Sequence, residues 1–208
     1  MELLTKIDKI RQWGELGLGR RRRYGGGECR QSGHIFTFSD GLTDGIKPSV
    51  TTLATLSPPS DLEYLSISSY GGLDLPNWMM TLTRLQALEL HDCAKLEVLP
   101  PLGRLPNLES LVLRLMKKHA EEWDGIERRV GAEDANTTSI ISIMPQLRQL
   151  MIRECPLLRA LPDYVLAAPL QELEIIMCPN LRKRYGKEEM GEDWQKISHI
   201  PKIYFYDT

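Results

Sequence analysis

The sequence predicts an α/β fold in which short parallel strands stack side by side and irregular or short helical segments return the chain between them. Three observations predict this solenoid. One leucine pattern recurs five times, its copies lie at a constant separation with one exception, and proline is concentrated in the segments between them. With 208 residues, of which 42% are hydrophobic, the chain has enough apolar side chains to fill a shared core.

Each copy of the pattern reads leucine, two residues, leucine, one residue, then leucine or isoleucine. The first leucines are 23, 23, 39 and 23 residues apart, at Leu62, Leu85, Leu108, Leu147 and Leu170. The second and third apolar positions are two residues apart, as are side chains on one face of a strand. We therefore expect one inward-facing pair in each copy: Leu65 and Ile67, Leu88 and Leu90, Leu111 and Leu113, Leu150 and Ile152, Leu173 and Ile175.

The segments after the strands contain L-x-x-L-P at Leu96–Pro100 and Leu158–Pro162. Proline lacks a backbone donor, so these segments neither extend a sheet nor form long helices. One coil of strand and return cannot bury its leucines alone, and it gains stability by stacking on its neighbours. The pattern is that of a leucine-rich repeat, with about five repeats of 23 residues, a parallel concave β-sheet and an irregular or short-helical convex side. The 39-residue spacing leaves 117–143 as a loop or shortened repeat, where Trp123, Ile126 and Val130 could anchor a helical turn.

Composition divides the chain near residue 50. Residues 1–50 hold nine of the 16 glycines and the run Arg20–Arg23, which favours a flexible segment. Residues 51–208 form the predicted repeat domain, whose first repeat needs a cover from 40–60. Its C-terminal segment, 186–208, is predicted to cap the last coil with five apolar side chains: Trp194, Ile197, Ile200, Ile203 and Phe205.

Two stretches carry a family resemblance. LPNWMMTLTRLQALELHDCAKLEVLPPLGRLPNLESL and the C-terminal stretch from Met144 to Ile203, which includes GEDWQKISHIPKI, resemble the C-terminal leucine-rich repeats of plant disease-resistance proteins. These are intracellular immune receptors of the coiled-coil, nucleotide-binding class, and the resemblance covers about residues 53–205. It implies a protein-interaction module that recognises a pathogen effector, or a host protein that the effector alters. It also implies an autoinhibitory contact with the receptor's nucleotide-binding domain.

One hallmark of such receptors is missing. The chain has no G-x-x-x-x-G-K-[ST] motif, so no ATP or ADP site is expected and the sequence fits the tail of a receptor. Two alternatives stay open: a leucine-rich-repeat substrate adaptor of a ubiquitin ligase, and a receptor fragment that does not signal.

No chemistry of catalysis or metal binding is expected. Cys93, Cys155 and Cys178 occupy the same position of their repeats, which predicts buried free thiols, and no C-x-x-C pair points to zinc. The four histidines are widely scattered, so no nucleophile and base can be paired. The sequence thus predicts no catalytic residues, no cofactor and no enzyme.

Charge and hydropathy also argue against nucleic acid and membrane as partners. The formal net charge of −2 argues against nucleic acid, and no apolar run is long enough to span a membrane. Without an export signal we expect a cytoplasmic protein, and the arginine run would permit a nuclear one.

An interaction function would lie on the outward positions of the predicted strands. Val112, Met151 and Ile176 would form an apolar strip flanked by Arg114 and Arg153, which suits a protein partner. Ordinary scattered surface residues are the alternative. The predicted protein-binding face comprises Tyr64, Ser66, Ser68, Glu89, His91, Val112, Arg114, Met151, Arg153, Glu172, Glu174 and Ile176.

Overall fold

The computed structural model describes six parts of the C-terminal region and three short backbone segments before it. These are residues 20–24, 27–32, 35–40, 59–93, 95–96, 102, 105–116, 144–187 and 191–207. In the first three segments only the backbone is described, apart from the half-buried Thr37. The predicted cover at 40–60 lies almost entirely outside these residues. The spacer 117–143, with Trp123, Ile126 and Val130, lies entirely outside them.

One sheet contains the nine strands of the described residues in chain order. Strands β3 to β9 run parallel to one another. Before them, β1 pairs with β2 and β2 pairs with β3, each in the antiparallel direction. The strands are β1 Arg20–Tyr24, β2 Gly27–Ser32, β3 Ile35–Asp40, β4 Tyr64–Ser68, β5 Ala87–His91, β6 Ser110–Arg114, β7 Gln149–Arg153, β8 Glu172–Ile176 and β9 Lys202–Tyr206. Strand order that follows chain order is what stacked coils produce, so the predicted leucine-rich-repeat solenoid is confirmed.

The equivalent leucines lie in register. From β4 to β8 the Cα partners follow one column: Leu65, Leu88, Leu111, Leu150 and Leu173. Each of these side chains is at most 1% exposed. The other inward residue of each strand, from Ile67 to Ile175, forms a second buried column beside the first. Both columns form the core that the pattern predicts.

Within the described residues, the helices on the convex side are short. A 3-10 helix spans Asn77–Thr81, and three α-helices follow: α1 Asp163–Leu166, α2 Pro179–Tyr185 and α3 Trp194–Ile197. Pro76 and Pro162 hold extended backbone directly before the first two of these helices. Their fixed φ sets where each helix begins, and the short returns allow successive coils to stack closely.

A left-handed residue ends each repeat strand. The residue after each of β4 to β8 has a φ between 49° and 54°, or 56° at Leu115, without being glycine; these are Ser69, Asp92, Leu115, Glu154 and Met177. Each N–H donates to the carbonyl of the last residue of the following strand, from Ser69 to His91 at 2.8 Å through to Met177 to Tyr206 at 2.7 Å. The turn adds one rung to each strand pair and directs the next residue into the core.

The boundaries of the two predicted domains remain predictions. The structure gives backbone strands β1 to β3 within residues 1–50, for which composition predicts flexibility. At the other end, Ile197 and Ile200 are buried, Trp194 packs partly buried on the core, and β9 pairs with β8. We interpret this C-terminal segment as a cap because it covers the apolar end of the last coil.

Candidate protein-binding face

The sheet register arranges the outward side chains of β4 to β9 in three rows. The first row, at the strand starts, is Tyr64, Ala87, Ser110, Gln149, Glu172 and Lys202. The middle row is Ser66, Glu89, Val112, Met151, Glu174 and Tyr204. The third row, at the strand ends, is Ser68, His91, Arg114, Arg153, Ile176 and Tyr206. All twelve residues predicted from the sequence therefore lie at outward register positions of one sheet face.

The β4 end of this face is closed by its own polar side chains. Tyr64 is 3% exposed and shares hydrogen bonds with Glu89 and Ser66. Burial, reinforced by the nearby Glu89 carboxylate, raises the pKa of Tyr64. The Glu89 carboxylate also lies 3.1 Å from Nε2 of His91. These groups bind one another, so this end presents few polar atoms to a partner.

The expected exposed apolar strip is only partly present. Val112 is 8% exposed, so the expectation that it is solvent-accessible is wrong. Its short branched side chain lies in register between the longer Glu89 and Met151 on a concave surface, where long neighbours shield a short one. Ile176 is half-buried, but it lies in the third row beside Arg153 rather than in the row of Val112 and Met151. The three side chains therefore do not form one line.

Two arginines lie side by side in the third row. Arg114 and Arg153 are register partners on β6 and β7. The Nε of Arg153 donates to the Glu154 carboxylate at 2.9 Å. The Nε of Arg114 is buried and has no hydrogen-bond partner within the described part of the chain. Adjacent like charges repel, so an anionic group placed over this pair would relieve that repulsion.

Two carboxylates lie on the same face, nearer the strand starts. Glu172 accepts a 3.4 Å hydrogen bond from the side-chain nitrogen of Gln149 and is the register partner of Lys202. Glu174 is the register partner of Tyr204. Successive rows are about 7 Å apart because side chains on one face are two residues apart. On β6 to β8 the two carboxylates therefore lie in the first and middle rows, and the two arginines lie in the third row.

Strand β9 adds residues that the sequence analysis left out of the face. Tyr204 and Tyr206 are 37% and 48% exposed, and their rings stack with centroids 6.1 Å apart. The alternation of K-I-Y-F-Y carries the signal, since Ile203 and Phe205 on the other side pack on the core. Exposed tyrosines provide large contact area at little conformational cost, which is typical of interface residues.

The three repeat cysteines are buried free thiols, as the sequence predicts. Each thiol donates weakly to a carbonyl at the end of its own strand, for example Cys178 to Ile176 at 3.2 Å and Cys155 to Arg153 at 3.3 Å. Within the described residues no cluster of three or more His, Cys, Asp or Glu side chains could hold a metal ion. The same residues include no helix with the length and apolarity to cross a membrane.

The repeats are similar to parts of known plant proteins. Residues 39–116 match the family model described as R13L1/DRL21 LRRs. The disease resistance protein RGA4 of Solanum bulbocastanum is 30% identical over 134 residues, which are 62% of this chain and 13% of that protein. RGA1 of the same species is 43% identical over 63 residues, or 29% of this chain and 6% of the relative.

A third relative comes from another plant. Disease resistance RPP8-like protein 3 of Arabidopsis thaliana is 37% identical over 67 residues, which are 31% of this chain and 7% of the relative. The chain thus spans a small part of the length of each of these proteins. No solved structure gives a significant match.

Proposed function

We propose that this leucine-rich-repeat region, of the kind found in plant disease-resistance proteins, is a protein-interaction module that binds its partner on the outward face of β5 to β9. One observation carries the proposal: a basic pair, two carboxylates and a stacked tyrosine pair lie on one face of the sheet. Apolar and aromatic groups among charges of both signs suit a protein surface better than a small ligand.

The expected partners follow from the resemblance to immune receptors. They are a pathogen effector or a guarded host protein, and the nucleotide-binding domain of a receptor, which the module would hold inactive. Recognition would activate the receptor only if the partner binds the active state more tightly than the inactive one. Such a module works by binding, so we expect no enzymatic activity and no cofactor, and a cytoplasmic or nuclear location.

Charge reversal on the face tests the proposal. The double variant Arg114→Glu and Arg153→Glu should weaken binding to the nucleotide-binding domain of a plant disease-resistance protein by about tenfold or more, measured by calorimetry. The matched control is the double variant Lys95→Glu and Lys183→Glu, which makes the same change in net charge at two exposed residues away from the strands. Unchanged affinity in the arginine double variant would contradict the use of the basic pair. Equal weakening in the control would indicate a response to net charge alone.

A second experiment addresses β9. Replacing Tyr204 and Tyr206 by alanine removes the exposed stacked pair but leaves Ile203 and Phe205, which pack on the core, in place. We expect weaker binding with unchanged circular dichroism. The comparable control is Leu157→Ala, an exposed apolar side chain on the return after β7. Identical affinities for the parent chain, the tyrosine double variant and Leu157→Ala would contradict a role of β9 in the binding face.

A further inference from the structure

One column of the solenoid contains the residues that enter the core directly after the left-handed turns. Its members are Tyr70, Cys93, Met116, Cys155 and Cys178, one in each successive coil, and all are at most 4% exposed. Cys93 therefore faces a thioether in the next coil. Within the described part of the chain, Cys155 and Cys178 are the one place where thiols occupy adjacent coils.

The geometry of these two residues suits a covalent bond. Each lies two residues beyond the register partners Arg153 and Ile176. Neighbouring strands are about 4.8 Å apart, and disulfides join residues whose Cα atoms are about 4.4–6.8 Å apart. The backbone N–H of Cys155 donates to Sγ of Cys178 at 3.3 Å, and each thiol shifts the pKa of the other. The sulfur of Cys178 therefore already lies against the backbone of Cys155.

The two thiols are not equivalent. When Cys178 is ionised, a hydrogen bond from the Cys155 thiol, together with backbone N–H donors, stabilises the thiolate and so lowers the pKa of Cys178. The same hydrogen bond and burial raise the pKa of Cys155. A thiolate is the reactive form of cysteine, so Cys178 is the nucleophile of the pair and Cys155 its resolving partner.

We propose that Cys155 and Cys178 are a peroxide-sensitive dithiol that closes to a disulfide between adjacent coils. The Cys178 thiolate attacks one oxygen of hydrogen peroxide, the O–O bond breaks, and the departing hydroxide takes a proton to become water. Cys155 then attacks the sulfur of the Cys178 sulfenic acid. The S–O bond breaks, and the leaving hydroxide takes the Cys155 proton. Two thiols and one peroxide thus give one disulfide and two waters.

Burial selects the oxidant. Cys155 and Cys178 are 1% and 2% exposed, which favours a molecule close to water in size over a bulky disulfide reagent. Met177, directly before Cys178, is 43% exposed, so the pair lies just behind the surface. Cys93 is equally buried at 1% but faces Met116, which makes it an internal control for exposure and for non-specific oxidation.

The test is peptide mapping of the full chain. Reduced protein is treated with one equivalent of hydrogen peroxide, free thiols are alkylated under denaturing conditions, and the digest is analysed without reductant. We expect a linked Cys155–Cys178 peptide pair lighter by two hydrogens, reversible by dithiothreitol, with Cys93 alkylated. The proposal is overturned if both residues are alkylated as fully as Cys93, or if either links instead to Cys29 or Cys93.

A variant separates the two chemical steps. Cys155→Ser removes the resolving thiol but keeps a hydroxyl that can donate to Sγ of Cys178. With the resolving thiol gone, Cys178 should accumulate as sulfenic acid that dimedone captures when it is added with denaturant after the peroxide treatment. Capture at Cys93 rather than Cys178 would contradict the assigned roles. The measurement on the unaltered chain stands whether or not this variant folds.

Discussion

Leu111 of β6 and Leu150 of β7 are register partners although 39 residues separate them, whereas the other repeat leucines pair across 23 residues. Both are at most 1% exposed. The sheet therefore keeps its column of leucines through a much longer connection. Pairing depends on burying equivalent side chains against one another, and the length of chain between them has little influence on register.

Shortening Leu111 should strongly destabilise the solenoid. Leu111→Ala removes a fully buried side chain in the centre of the column and should lower the free energy of unfolding by about 3 kcal/mol. Urea denaturation followed by circular dichroism measures it. Leu157→Ala, at a residue that is 38% exposed, should cost well under half as much. Equal losses would mean that Leu111 is not in a packed core.

Glycine should stabilise a turn after the strands. Met177 has φ 53°, a conformation in which a β-carbon is strained, and its side chain is 43% exposed. Met177→Gly should unfold with a free energy roughly 0.5–1 kcal/mol above that of Met177→Ala, which loses the same side chain but keeps the β-carbon. Thermal and urea denaturation of both variants give the comparison. A more stable alanine variant would contradict the left-handed turn.

The hydroxyl of Tyr185 is expected to be structural. It accepts a 3.0 Å hydrogen bond from the backbone N–H of Leu161, one coil earlier, and Tyr185 is 1% exposed. Tyr185→Phe leaves that buried N–H without an acceptor, so the free energy of unfolding should fall by about 1–3 kcal/mol. Tyr206→Phe, on the exposed face of β9, is the control and should change stability little. A neutral Tyr185→Phe would show that water or another group replaces the hydroxyl.

Asp193 should make stability depend on pH. Hydrogen bonding to Arg184, together with the charges of Arg184 and Lys196, lowers the pKa of Asp193 in the folded chain. A lowered pKa contributes stability that is complete above the unfolded-state value of about 3.9 and is lost as pH falls through the folded value. The stability difference between the parent chain and Asp193→Asn should therefore be largest near neutral pH and vanish in strong acid. A difference that grows as pH falls would contradict this pairing.

The repeat pattern predicts which side chains point inward, and Leu65 to Leu173 are buried as expected. Period-two spacing carries no information about neighbours across the sheet. For this reason it did not predict that Val112 is buried or that Ile176 lies in the third row. The left-handed turns were also not predicted, because this conformation is usually adopted by glycine and here it is adopted by residues such as Leu115 and Met177.

The sequence also did not predict the hydrogen bonds between neighbouring coils. Asn107 donates to the Thr83 carbonyl at 2.7 Å, and Asn180 to the Pro156 carbonyl at 2.8 Å, each across 24 residues. An asparagine in a return segment reads as a turn residue, and only the stacked coils bring a carbonyl of the preceding coil within reach. The predicted face similarly ended at β8, because the C-terminal segment was assigned to the cap and its outward tyrosines, Tyr204 and Tyr206, were not assigned to the face.

A crystal structure of the chain tests the stacked-coil arrangement most directly. We expect Leu65, Leu88, Leu111, Leu150 and Leu173 to be Cα partners across five adjacent parallel strands, with the Arg114–Arg153 pair on the opposite face. A shift of one residue between any two of these strands would contradict it, because the shift would turn the leucines to solvent and the proposed binding face into the core.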